Sequence, residues 1–134
     1  MSLQKRAEFW RKELAECRSV IVVAIENGEV VGWASGGVSR DVDGKDVSEV
    51  YAIYVLPEYW SRGIGRRLME KIEEYLPSSS SVTLWVLAQN QRGLGFYRKI
   101  GYDLDGEEKT IKLCDVALLE VRLRKKYQGS AQAL

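Results

Sequence analysis

Residues 49–77 read EVYAIYVLPEYWSRGIGRRLMEKIEEYLP, and the fold turns on this stretch. The apolar run Tyr51 to Val55 stops at Pro57, which has no N–H to give to a sheet ladder. A glycine-bearing loop follows, and then Ile64, Leu68, Ile72 and Tyr75 recur at helical spacing up to Pro77. The expected order is a strand over 47–55, a turn, and a helix over Arg62 to Leu76. The helix carries its charge on the unexpected end. A helix N-terminus has about half a unit of positive charge, so carboxylates are favoured there and each cation costs a few tenths of a kcal/mol. Arg62, Arg66 and Arg67 nevertheless cluster at that end, around backbone N–H groups that Gly63 and Gly65 leave uncovered. A bound polyanion such as a phosphate group would resolve the misfit. The loop is not a nucleotide P-loop, which needs Lys-Ser/Thr after its last glycine. It is not a dinucleotide fingerprint either, because Leu68 stands at the third glycine position. Taken alone, the motif also fits a tight turn beside a solvated basic face.

Upstream, Gln4 to Cys17 has the spacing of an amphipathic helix, with Ala7, Trp10, Leu14 and Cys17 on one face. Val20 to Ile25 is β-branched and reads as a buried strand, and Asn27-Gly28 is a two-residue hairpin signal. Val30 to Val38 returns as a second strand, with Gly36 and Gly37 marking a bulge or a close backbone approach. Asp43-Gly44 marks the next turn, so strands one to three form an antiparallel meander. Downstream, Ser78 to Ser81 is a polar loop and Val82 to Leu87 another strand. A strand, helix and strand in this order require a right-handed parallel crossover. Gln91 to Ile100 reads as a short helix closed by Gly101, and Lys109 to Leu113 with Val116 to Leu123 as a final hairpin. The fold class is α/β: a mixed, mostly antiparallel sheet with one parallel step in the middle, flanked by helices.

At 134 residues the chain is read as one domain over 1–134, with residues 125–134 as a C-terminal tail and Met1 to Leu3 as a cloning remnant. A formal net charge of +1 gives no global case for nucleic acid or an anionic membrane as partner. The chain has no histidine, which removes Ser-His-Asp and Cys-His chemistry and argues against a zinc enzyme, so no metal is expected. Cys17 and Cys114 lie far apart among apolar residues and read as buried free thiols. No apolar run approaches the ~20 residues of a membrane span and no signal-peptide pattern opens the chain, so a cytoplasmic location is expected. The basic run Arg122 to Tyr127 reads as a solvated strand end.

The downstream run LWVLAQNQRGLGFYRKIGYDLDG adds Asn90, the Phe96-Tyr97 pair and Gly101-Tyr102. Together with Tyr51 to Val55 and the loop Trp60 to Gly65, these resemble the GCN5-related N-acetyltransferase (GNAT) superfamily over roughly residues 19 to 124. That family has a strand, Arg/Gln-x-x-Gly-x-Gly/Ala at a helix start, a strand ending near Asn, and a Phe-Tyr pair before Gly-Phe/Tyr.

The resemblance implies acetyl-CoA as co-substrate. Its pyrophosphate would sit on the N–H groups of Ser61, Arg62, Gly63, Ile64, Gly65 and Arg66, with Arg62, Arg66 or Arg67 adding charge. Its pantetheine arm would lie along the backbone of Ile53, Tyr54 and Val55, pairing like an added strand where the parallel pair splays. Asn90 would hold that arm or the neighbouring loop. The acceptor would be a primary amine of a small molecule or peptide, attacking directly in a ternary complex. Such an amine is largely protonated at neutral pH, with a pKa of about 8 to 10.4, and must lose a proton first. Glu49 lies at the spacing from Gly63 that resembles the catalytic glutamate of the histone-acetyltransferase branch; otherwise it is a solvent-facing strand-end carboxylate. Tyr97 would protonate the departing thiolate, since its hydroxyl is neutral at working pH; otherwise it is a packed core tyrosine. The oxyanion would meet a backbone N–H of the central strand, that of Val55.

Three departures from the family pattern matter. Trp60 stands where the phosphate loop has Gln or Arg. Trp85 stands where a branch acting on protein N-termini places a catalytic glutamate. The family's first strand and one further helix have no counterpart ahead of Gln4, so the acceptor pocket is expected to be open, shortened or completed by a second subunit in a homodimer. Among the aromatic residues Phe9, Trp10, Trp33, Tyr51 and Tyr54, Trp33 and Tyr51 are the candidates to line the acceptor pocket. The competing readings are a longer acyl-CoA donor, and a CoA- or acyl-CoA-binding sensor of the same fold without turnover.

Overall fold

The computed structural model describes residues 19–41, 43, 46–76 and 81–126. The Gln4–Cys17 helix, Phe9, Trp10, Gly44, Pro77, most of the Ser78–Ser81 loop and the tail beyond Lys126 lie outside the described residues. The chain divides into two units, residues 1–78 and 79–134.

The first unit is the expected meander: β1 (Val20–Glu26), β2 (Glu29–Val38) and β3 (Val47–Val55), each antiparallel to the next. Asn27 and Gly28 make the first turn with φ of 51° and 79°, the left-handed pair that a two-residue hairpin requires. The 3₁₀ turn Pro57–Tyr59 leads into α1 (Ile64–Tyr75), which packs on the three strands. Leu68, Met69 and Ile72 are its buried residues, joined by Leu76 just beyond its end. Each such side chain stabilises the fold by about 1.5–3 kcal/mol. Tyr75, expected on this face, is exposed, because Leu76 one position on completes the i, i+4, i+8 row of Leu68 and Ile72.

Small residues on β2 let the helix approach. A Cβ on Gly32 would meet Leu68 Cδ1 at 3.2 Å, and one on Gly36 would meet Leu76 Cδ2 at 3.0 Å and the Glu49 carbonyl at 2.7 Å. The register shift falls at Ser35/Gly36 as expected, but the extra residue belongs to the facing strand: Ala52 and Val50 pair with Ser35 and Gly36, leaving Tyr51 between them. The first strand departs from its expected burial, since Val23 and Ile25 are 50% and 60% exposed. Among the described residues β1 pairs only with β2, so it is an edge strand.

The second unit contains β4 (Ser81–Leu87), α2 (Gln91–Lys99), β5 (Asp103–Leu113) and β6 (Val116–Lys126). β6 lies between β4 and β5, antiparallel to both. Val82, Leu84, Val86, Tyr102 and Leu123 form its buried core. The final hairpin begins earlier than expected, at Asp103; Gly106, with φ of 93°, and a register shift between Leu104 and Glu108 carry the strand past a polar stretch that hides its period. Its two-residue turn is Cys114-Asp115, both at positive φ. That places Cys114 at a tip and exposes it, against the expected burial. Arg122 is also corrected: it is buried in β6 rather than solvated, donating to Asp105 at 2.7 Å, with Arg124 on the same carboxylate at 3.2 Å. The Asp105 carboxylate, in the irregular stretch of β5 between Leu104 and Glu108, takes both cations, and of the two Arg122 is the buried one.

Candidate active site

The backbone of β3 is legible from its neighbours. Leu56 N–H donates to Val31 of β2 at 2.9 Å, and the Tyr54 carbonyl faces Gly32 of the same strand. Successive residues of a strand alternate in direction, so Ile53 and Val55 turn their N–H and C=O to the edge away from β2. Of the three residues expected to carry pantetheine, Ile53 and Val55 present their groups at that edge, whereas Tyr54 turns its own to β2. The Val55 carbonyl accepts a hydrogen bond at 2.8 Å from the indole Nε1–H of Trp60. The 3₁₀ turn closes this loop, with Tyr59 N–H on Leu56 and Trp60 N–H on Pro57, and returns the indole across the strand end.

Beyond Trp60 the backbone adopts left-handed conformations at Ser61 (φ 64°) and Gly63 (φ 81°). Alternation of this kind turns consecutive N–H groups into one concavity, a nest suited to an anion. Gly63 is the N-cap of α1, so no side chain caps the helix, and the first turn holds no acid. The ladder opens with Arg67 N–H on the Gly63 carbonyl; the N–H groups of Ile64, Gly65 and Arg66 precede it. A Cβ on Gly63 would meet nothing within 4 Å, so the cradle is open. The helix starts two residues later than expected, which puts Arg62 in the loop with its guanidinium 4.9 Å over the Tyr59 ring. Arg66 is exposed in the first turn, whereas Arg67 lines a groove of about 250 Å³ with Ile64, Leu68, Lys71 and the residues of β1.

Glu49 lies toward the other end of β3, roughly 20 Å from Val55 at about 3.3 Å per residue, and Tyr51 lies at its middle. Glu49 is 1% exposed and held by Arg40: Nη2 to Oε2 at 2.7 Å, and the Arg40 backbone N–H to Oε1 at 2.8 Å. The hydrogen bond to Glu49 raises the Arg40 pKa, reinforced by that carboxylate's charge and opposed by burial. The Arg40 guanidinium also stacks 4.2 Å over Tyr51, whose hydroxyl donates to the Val38 carbonyl at 2.6 Å. Tyr51 is thus half-buried and engaged, while Trp33, on β2 opposite Tyr54, is exposed. Sequence reasoning missed Arg40. The signal was there: it follows the strand that pairs Gly37 with Glu49, so a hairpin register brings it to that carboxylate.

In the second unit, Asn90 is the N-cap of α2, its Oδ1 accepting from Gly93 N–H at 2.9 Å. A Cβ on Gly93 would sit 2.6 Å from Asn90 Nδ2, so the capping side chain would have to shift to admit one. Tyr97 lies on α2 edge-on to Phe96 and to Tyr102, with ring centroids at 5.2 and 6.2 Å. Burial pushes its hydroxyl up to about 12, so the phenol keeps its proton across the physiological range. Trp85 is flanked by Lys109 at 4.2 Å and Arg122 at 5.8 Å, a cationic setting unlike that of the carboxylate it replaces.

A model of the acetyltransferase (GNAT) family matches residues 2–102. The chain belongs to this family. The GNAT chain is 36% identical to YuaI, an uncharacterized N-acetyltransferase of Bacillus subtilis, over 109 residues that make up 79% of this chain and 61% of that protein. It is 30% identical to an uncharacterized N-acetyltransferase of Methanocaldococcus jannaschii over 90 residues, 64% of this chain and 38% of that protein. In both alignments it spans less than two thirds of the relative's length. Among solved structures, yncA of Salmonella typhimurium, solved with its cofactor acetyl-CoA, matches with a TM-score of 0.72 at 18% identity over 94% of this chain and 74% of that one. The shared fold is of the expected α/β class, with antiparallel strands in each unit, β1 to β3 in the first and β4 to β6 in the second, and a helix in each. Among the described residues no group of His, Cys, Asp or Glu is placed to hold a metal ion, and no helix is long and apolar enough to cross a membrane.

Proposed function

We propose that this GNAT chain is an N-acetyltransferase that moves an acetyl group from acetyl-CoA to a primary amine of a small molecule or peptide. The observation that carries the reading is the uncapped, acid-free start of α1 behind the two left-handed residues Ser61 and Gly63. That nest fits a diphosphate: the N–H groups of Ile64, Gly65 and Arg66 lie ahead of the first helical hydrogen bond, and the helix end favours negative charge. Arg62 and Arg66 supply charge to it; Arg67, facing the β1 groove, adds to the field. Bound there, acetyl-CoA supplies an activated acyl carbon. The backbone groups of Ile53 and Val55 orient the pantetheine arm, and Asn90 holds the start of α2 in place. The acceptor nitrogen attacks the thioester carbonyl while the Val55 N–H meets the developing oxyanion. The amine sheds its proton before attack; Glu49, the carboxylate proposed to receive it, is buried on Arg40 roughly 20 Å along β3 from Val55, so the proton reaches it only along a chain of waters. The carbon–sulfur bond then breaks, and Tyr97 gives its proton to the leaving thiolate. Trp33 and Tyr51 are the candidates to contact the acceptor.

The test is paired. Acetyl-CoA should raise the melting temperature of the wild-type protein and release free thiol when primary amines are supplied. Gly65→Glu places a carboxylate in the nest and should abolish that stabilisation; retained stabilisation would put the cofactor elsewhere. Stabilisation without thiol release across peptides, polyamines, amino acids and aminoglycosides would select the CoA-binding sensor instead.

A further inference from the structure

The indole of Trp60 occupies a group that the proposed cofactor track needs. Ile53 and Val55 turn their polar groups to the β3 edge away from β2, and an extended ligand pairing there would give an amide N–H to the Val55 carbonyl. That carbonyl already accepts from Trp60 Nε1–H at 2.8 Å. The loop geometry enforces the contact: the 3₁₀ turn at Pro57–Tyr59 and the left-handed Ser61 leave Trp60 folded back on the strand it follows. The side chain is still 43% exposed, so the indole is not locked into the core.

We propose that Trp60 is a displaceable cap on the cofactor track: its indole N–H satisfies the Val55 carbonyl in the free protein and is exchanged for a pantetheine amide N–H when an acyl-CoA binds. This rests on the acyl-CoA reading of the site. Exchanging one hydrogen bond for another yields little, so the cap lowers cofactor affinity and makes the free strand end a satisfied one. It acts on the pantetheine arm and not on the nucleotide end.

The experiment compares wild type with Trp60→Phe, which keeps a ring but removes the donor. Calorimetric titrations use CoA and, separately, adenosine 3′,5′-bisphosphate, which lacks the pantetheine arm. The Trp60 indole N–H resonance, assigned in the wild-type protein, is followed during both titrations. The expected result is CoA bound about 3- to 10-fold more tightly by Trp60→Phe, the worth of one net hydrogen bond, with the bisphosphate bound equally by both forms. In wild type the indole resonance moves with CoA and stays with the bisphosphate. CoA binding that leaves the resonance in place, or equal CoA affinities, would overturn the cap while the acyl-CoA reading stands. Weaker binding of both ligands by Trp60→Phe would overturn it too, because the indole would then contact the nucleotide. If CoA binds neither form, the reading and the cap fall together. The wild-type resonance decides the matter even where the variant does not fold.

Discussion

At the scale of single residues, the Arg40–Glu49 pair shows how burial decides which partner matters. Glu49 is 1% exposed while the Arg40 side chain is 60% exposed, so only the carboxylate lacks water to replace its partner. Arg40→Ala removes the guanidinium and leaves a buried carboxylate with the backbone N–H as its remaining Arg40 contact; the expected cost is roughly 2 to 3 kcal/mol. Glu49→Gln keeps an acceptor for that N–H and leaves a guanidinium that water can solvate, at about 1 kcal/mol. Urea unfolding of the two variants measures the asymmetry, and equal losses would mean that burial does not govern the pair. Tyr97 carries a different expectation. A phenol whose proton stays on across the physiological range is a donor at every working pH, so Tyr97→Phe should lower turnover about 10²-fold with acetyl-CoA affinity nearly intact. Unchanged turnover would remove Tyr97 from the chemistry.

At the scale of elements, α1 and β2 were chosen for each other. Leu68, Ile72 and Leu76 form one row of the helix, and Gly32, Ala34 and Gly36 form the floor it meets. Gly36→Ala would bring a Cβ to 2.7 Å from the Glu49 backbone carbonyl, which cannot swing aside, so a loss of roughly 1 to 3 kcal/mol is expected. Gly95→Ala, inside α2 with nothing within 4 Å, should instead stabilise by about 0.5 to 1 kcal/mol. Thermal unfolding of both checks the contrast; two changes of the same sign would refute it. The meander and α1 were legible in the sequence because Asn27-Gly28, Pro57 and the helical row of apolar residues are local signals. What was not legible depended on pairing across strands. The burial of Arg122 follows from Asp105 on β5, the bulge at Tyr51 from a slip against Gly36, and the Glu49 contact from Arg40 beyond the end of β2. The left-handed turn at the start of α1 was legible in Gly63, whereas the Trp60 bond to Val55 needed the 3₁₀ turn that no single residue announces.

At the scale of the whole molecule, one buried hydroxyl should tie global stability to alkaline pH. Tyr97 has its pKa pushed up to about 12 by burial, against about 10 for an unfolded tyrosine. Below pH 10 the phenol is protonated in both states, and its contribution is fully present. Between pH 10 and 12 the unfolded chain gives up the proton while the folded chain keeps it. The folded state then binds more protons, so the free energy of unfolding falls as pH rises. By pH 11.5 the loss amounts to roughly 2 kcal/mol at about 1.4 kcal/mol per unit of pH. Lysines and other tyrosines titrate in the same window, so the measurement is a difference: urea unfolding at pH 9 and 11.5 for wild type and for Tyr97→Phe. Contributions common to both proteins cancel, and wild type should lose about 2 kcal/mol more than the variant. Parallel losses would show that the hydroxyl is as well solvated in the folded protein as in the unfolded chain. It would then have no desolvated site in which to hold its proton for a leaving thiolate.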